Sequence, residues 1–246
     1  MANDVIDPRG GMAAEEVTAE IANGLSLRGL YHRAISPDRK APVCVCIHGL
    51  GVDLNVWQFV APEIQARGVS ALCLDLRGHG LSDRGNRRNL TPKRMARDIL
   101  DACRRLELNP SFLLAQSFGT CVGLELLDLV SEEADAPTLF AVTPVWLSSR
   151  RSFRSLPSNA VTTARFLREI AGEAGLVSTS KPSRRDHTRF AGLGDSYLPR
   201  FAAEAASISW MSYARMLVWL RLQGYLHTYD WGRLSAYPVR MIAASD

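Results

Sequence analysis

Among the side chains able to do chemistry, Ser117 is marked out by position. It stands between an apolar run, Leu113-Leu114-Ala115-Gln116, and a helical pattern that begins at Phe118. A serine hydroxyl becomes a competent nucleophile when an imidazole takes its proton and a carboxylate holds that imidazole in the right tautomer. A serine ahead of Phe118-Gly119 is also an ordinary helix cap, so position alone leaves both readings open. The chain has five histidines, His32, His48, His79, His187 and His227. His48 lies in Ile47-His48-Gly49-Leu50-Gly51 and His79 in Asp75-Leu-Arg-Gly-His-Gly-Leu-Ser-Asp83, and each of these turns follows a buried-strand pattern. A metal or other cofactor has no support, because no His/Cys/carboxylate cluster falls at ligand spacing and Cys44-x-Cys46 alternates inside an apolar strand pattern.

The scaffold for these residues follows from composition and periodicity. At 246 residues and 27.1 kDa, with 47% hydrophobic and 22% charged residues, the chain can bury a sizeable core, which excludes disorder and small disulfide scaffolds. Two extended runs, 16–22 and 26–35, flank Asn23-Gly24 and predict an antiparallel hairpin. Residues 42–47, 69–74, 111–116 and 138–145 are apolar without polar alternation, as strands covered on both faces are. Helical patterns lie between them at 55–66, 92–107 and from Phe118 onward, and Thr91-Pro92 supplies a hydroxyl cap and first-turn proline. Strands alternating with helices predict an α/β fold with a mostly parallel sheet sandwiched by helices. From 147 to 232 no strand pattern is convincing, whereas 159–174 and 198–222 read as helix, and 237–244 restores a buried-strand pattern.

With strand and helix context in place, Ala115-Gln116-Ser117-Phe118-Gly119 resembles the nucleophile elbow of the α/β-hydrolase superfamily, with Ala115 where the family usually has glycine. Ile47-His48-Gly49-Leu50 resembles the family's His-Gly turn, and residues 75–83 resemble its Asp-x-Arg-Gly-x-Gly-x-Ser turn, whose role there is to brace the loops around the site. The resemblance covers nearly the whole chain. It implies the α/β-hydrolase fold, Ser117 as nucleophile, and the amides of Leu50 and Phe118 as the oxyanion hole. It implies an acid just after the seventh strand, which makes Asp246 the candidate, since 138–151 contains no Asp or Glu. The catalytic histidine would come after the acid, and none follows Asp246. His48 and His79 belong to the structural turns, His32 to the hairpin, and a base at His187 or His227 would break the family's chain order.

The expected organisation is therefore a hydrolase core over 1–146, an inserted helical cap over 147–232, and a return to the core over 233–246. The last strand, last helix and histidine are then expected to be missing. The reading favoured is an incomplete serine hydrolase acting on an ester or thioester through an acyl-enzyme on Ser117. An acyltransferase of the same fold and an inactive ligand-binding protein are the alternatives. A serine at the elbow excludes the superfamily's aspartate-nucleophile branches. Partners are expected to be a small acyl substrate, with no nucleic acid and no membrane; the oligomeric state is not legible. Residues 150–200 hold ten Lys/Arg against four Asp/Glu, which could attract an anionic substrate or simply form a solvated face. Trp210, Tyr213, Met216 and Trp219 could line a cavity or only pack helices. Alternating core cysteines and a start without signal-peptide character point to a cytoplasmic protein.

Overall fold

Asn23 and Gly24 both take positive φ, 67° and 64°, the left-handed geometry that a tight connection between twisted strands requires. They close β1 (Glu15–Ile21) onto β2 (Leu25–His32) as an antiparallel pair with Ile21 opposite Leu25. The expected hairpin thus forms around its Asn-Gly turn in a computed structural model that describes residues 14–35, 41–86, 89–130, 136–142 and 237–242. The segment expected as a cap, with His187, His227 and the basic stretch, lies outside the described residues, and so does Asp246.

The hairpin joins a seven-stranded sheet of order β1-β2-β4-β3-β5-β6-β7, with β3 (Val43–Ile47), β4 (Ser70–Leu74), β5 (Pro110–Gln116), β6 (Thr138–Val142) and β7 (Val239–Ile242). β2 runs antiparallel to β4, and β4, β3, β5, β6 and β7 are mutually parallel. Successive side chains of a strand point to opposite faces, so the apolar runs split between two cores. Val45, Ile47, Leu72, Leu74, Leu113, Ala115 and Leu139 pack with Met95, Ile99, Phe118 and Val122 on one face. Cys44, Cys46, Ala71 and Cys73 pack with Leu54, Trp57 and Ala61 on the other.

Local chemistry explains the helices. Thr91 Oγ1 accepts the Arg94 N–H at 3.2 Å, and Pro92 opens α2 (Pro92–Arg105), as the hydroxyl-proline pair predicts. The helix expected over 55–66 is instead a 3-10 turn, Leu54–Trp57, followed by α1 (Val60–Ala66). The Asp53 carboxylate takes the Asn55 N–H at 2.8 Å and Asp75 takes that of Leu54 at 3.0 Å, so side chains tie down the first donors and tighten the turn. α3 (Phe118–Val130) starts directly after Ser117.

β7 departs from the buried pattern expected of it. It lies at the edge of the described sheet, with Met241 63% and Ile242 47% exposed. Tyr237 fastens its start to α3 by donating its hydroxyl to Asp128 Oδ1 at 2.9 Å. All five cysteines are free and buried, and burial pushes the thiols of Cys103 and Cys121 up to about 12, so they stay protonated at neutral pH. Among the described residues no helix is long and apolar enough to cross a membrane.

One buried ion pair joins the turn after β4 to α2. Arg77 donates Nε and Nη2 to Asp98 at 2.6 and 2.7 Å, with both side chains 1% exposed, and Arg94 adds a bond to the same carboxylate at 3.1 Å. Removing one member of such a pair strands a charge in the core. Asp98→Ala is therefore expected to lower unfolding free energy by about 3–5 kcal/mol, measured as a lower urea midpoint.

Candidate active site

The site forms where β3, β4 and β5 end side by side, the edge at which open parallel sheets present ligand-binding loops. Ser117 follows the last residue of β5 with φ of +49°, a left-handed conformation that costs a non-glycine residue energy. Two bonds hold it there. Its N–H donates to Val142 O of β6 at 3.0 Å, and its carbonyl accepts the Thr120 N–H at 3.0 Å as α3 begins. A helix cap uses extended backbone and a side-chain acceptor. Ser117, at φ +49°, departs from that extended backbone.

Gly119 explains how strand and helix approach each other. A Cβ on it would lie 2.5 Å from Ile47 O and 2.6 Å from His48 O, so α3 rests on the backbone at the end of β3. Ala115, where the resemblance implied glycine, is accommodated from the helix side. Gly123 faces it, and a Cβ on Gly123 would sit 3.5 Å from Ala115 Cβ and 2.9 Å from a Leu139 methyl. The sequence reading missed Gly123, although its spacing of four from Gly119 puts the two on one helix face.

The turn after β3 comes up against the elbow. A Cβ on Gly49 would be 3.4 Å from Ser117 Cβ and 3.5 Å from Gln116 O. Leu50 follows at this turn, and Phe118, the residue after Ser117, opens α3. Among the described residues neither amide donates to another protein group.

His48 is buried and both ring nitrogens are engaged. Nε2 accepts the Leu76 N–H at 2.9 Å, so the proton resides on Nδ1, which donates to Gly49 O at 2.8 Å. His79 stacks edge-on to it with ring centroids 5.0 Å apart, and its Nδ1 lies 3.1 Å from Arg77 O. Burial and the neighbouring His48 push the His79 imidazole down to about 3. His32 pairs with Ala71 near the start of β4, at the opposite end of the sheet from Ser117. None of these three is placed to take a proton from Ser117.

The loop after β4 is braced by its own acids and hydroxyls. Buried Asp75 accepts the N–H groups of Leu54 at 3.0 Å and Leu81 at 2.8 Å, while Ser82 Oγ donates to Asp75 O at 2.6 Å. Gly80, at φ +49°, leaves no space for a side chain against the Asp75 carboxylate. Ser82 Oγ and Asp83 Oδ2 then accept the N–H groups of Arg28 and Ser26, at 2.9 and 2.8 Å, where β2 runs past the end of β4. Among the described residues no group of three or more His, Cys, Asp or Glu side chains could hold a metal ion.

Known proteins share this architecture. A family model described as alpha/beta hydrolase fold matches residues 42–162. The magnesium-chelatase 30 kDa subunit of Rhodobacter capsulatus is 32% identical over 85 residues, which is 35% of this chain. The match spans only 30% of that curated relative's length. An esterase from Exiguobacterium antarcticum aligns with a TM-score of 0.63 at 14% identity, covering 93% of this chain and 90% of that one. A hydrolase from Pseudomonas aeruginosa PA01 gives 0.58 at 17% identity, covering 93% and 89%. An epoxide hydrolase from Vigna radiata gives 0.58 at 18% identity, covering 94% and 79%. At such identities the structural likeness shows the fold.

Two expected outcomes follow from the geometry. Gly119→Ala forces carbon against two carbonyl oxygens and lowers stability by about 1–3 kcal/mol, read by chemical denaturation. His79 stays neutral when folded to about pH 3 but protonates near its ordinary 6.5 when unfolded, so the unfolded chain binds the extra proton between these values. Its contribution is present above pH 6.5 and declines as pH falls towards 3, by up to about 1.4 kcal/mol per pH unit. His79→Asn, which keeps a donor at the Nδ1 position, should flatten that part of the stability–pH curve.

Proposed function

Because the chain belongs to the α/β-hydrolase superfamily, we propose that it is a serine hydrolase acting on a carboxylic ester or thioester. One observation carries this reading: Ser117 is held in a left-handed turn between β5 and α3, directly against the Gly49-Leu50 turn. Ser117 Oγ attacks the carbonyl carbon, and the charge that develops on the carbonyl oxygen is met by the Leu50 and Phe118 N–H groups, with the positive end of α3 behind the second. Collapse of the tetrahedral intermediate expels the alcohol or thiol and leaves an acyl group on Ser117, which water then removes. Serine at this position speaks against the carboxylate nucleophile of the epoxide-hydrolase branch.

The base that takes the Ser117 proton comes, on this reading, from outside the described residues. Asp246 remains the proposed acid: β7 runs parallel to β6, so the chain leaves Ile242 at the same edge of the sheet as Ser117. The helical segment 147–232 is proposed to roof the acyl pocket. A second reading, a ligand-binding protein without turnover, is favoured by one fact, that the described histidines are placed for structure and not for proton transfer.

A fluorophosphonate probe separates the two. A competent site is expected to be labelled at Ser117, with labelling abolished in Ser117→Ala and the acyl-enzyme visible as a burst with p-nitrophenyl esters. A folded chain that takes no label would favour the binding reading.

A further inference from the structure

An oxyanion donor at the Leu50 amide needs a group that aims it. An N–H donor stabilises an oxyanion only if it points at the place where charge develops, and a backbone amide can rotate as a planar unit with the carbonyl it is joined to. The Leu50 N–H shares its peptide plane with the Gly49 carbonyl, and no peptide bond here is cis, so the two dipoles point in opposite directions. The Gly49 carbonyl is the group held by His48 Nδ1–H at 2.8 Å. Glycine at 49 gives this peptide wide rotational freedom, and no side chain of its own restrains it.

We infer that His48 is a positioning residue, which directs the Leu50 N–H away from its own ring and towards the elbow by gripping the opposite end of the same peptide. The inference rests on the reading of Ser117 and Leu50 proposed above. The ring can do this because its other nitrogen is anchored. Nε2 accepts from Leu76 N–H, the residue after Asp75, whose carboxylate is itself bonded to Leu54 and Leu81. Acceptance at Nε2 also fixes the tautomer that makes Nδ1 a donor. The oxyanion donor is thereby tied through one imidazole to the braced loop after β4. His79 packs against the ring edge and limits its tilt.

Two substitutions divide the ring's functions. In His48→Asn the side-chain amide reaches the Nδ1 position and can still donate to Gly49 O, but it loses the acceptor for Leu76. In His48→Gln the amide reaches the Nε2 position and can serve Leu76, but it releases Gly49 O. With p-nitrophenyl butyrate, His48→Gln is expected to lose about 100-fold in kcat with KM within a few-fold, while His48→Asn stays within a few-fold in kcat. The same order is expected for the rate of fluorophosphonate labelling at Ser117, with thermal stability measured alongside. Equal losses in both variants, losses that follow stability alone, or an unimpaired His48→Gln would overturn the inference. Nitrogen-15 NMR of the wild-type imidazole guards against variants that fail to fold: a proton on Nδ1 supports the role, and a proton on Nε2 overturns it. A wild-type chain unlabelled at Ser117 removes the hydrolase reading and the inference with it, whereas a labelled wild type with indifferent variants removes the inference alone.

Discussion

There is no room for a single carbon atom between the first turn of α3 and the end of β3. A Cβ at Gly119 would press on the carbonyl oxygens of Ile47 and His48, and this close approach sets the geometry of everything around Ser117. It brings the elbow to within van der Waals distance of Gly49 and places the first amide of α3 beside the turn that carries Leu50. It also fixes the depth at which the helix packs, so that Gly123 must be small where Ala115 and Leu139 come up beneath it. A conformation that would be unfavourable for an isolated serine persists because β6, α3 and β3 determine it from three sides.

The second organising feature is polar and buried. Asp75, Ser82, Asp83 and His48 bond the backbone of β2, the turn after β3, the 3-10 turn and the loop after β4, and the Arg77–Asp98 pair ties that loop to a side chain of α2. Buried polar groups are costly unless they are paired, so these bonds leave few alternative arrangements of the loops. Stability and site geometry thus rest on the same bonds. The His48 imidazole shows this most directly, because one nitrogen belongs to the brace and the other to the peptide that would face the oxyanion.

Much of this architecture was legible in the chain. Asn23-Gly24 specified the hairpin, Thr91-Pro92 the start of α2, and the unbroken apolar runs of β3 and β4 a sheet covered on both faces, because each depends on local stereochemistry or on periodicity. Other features were not legible, since they arise from residues distant in sequence. Nothing in 55–66 indicates that the first turn will tighten, because part of the cause is the carboxylate of Asp75. Nothing in 239–242 shows that Met241 and Ile242 will be exposed, because exposure depends on what stands beside a strand and not on its pattern. Gly123 carried a usable signal in its spacing from Gly119, but its function became clear only with Ala115 and Leu139 opposite it.

By itself, the sequence determined the class of fold, the strand ends at which chemistry can occur, and the residue types available there, all of which follow from period, turn chemistry and order along the chain. Tertiary structure decided which of those residues meet and in what state. It put Ser117 into a left-handed turn and drew Gly49 against it. It withdrew His48 and His79 from service as bases by burying both rings, engaging both nitrogens of His48 and pushing the His79 imidazole down. Tautomer, protonation and direction of an N–H are properties of a packed environment, and they come into being only when segments far apart in the chain are brought within hydrogen-bonding distance.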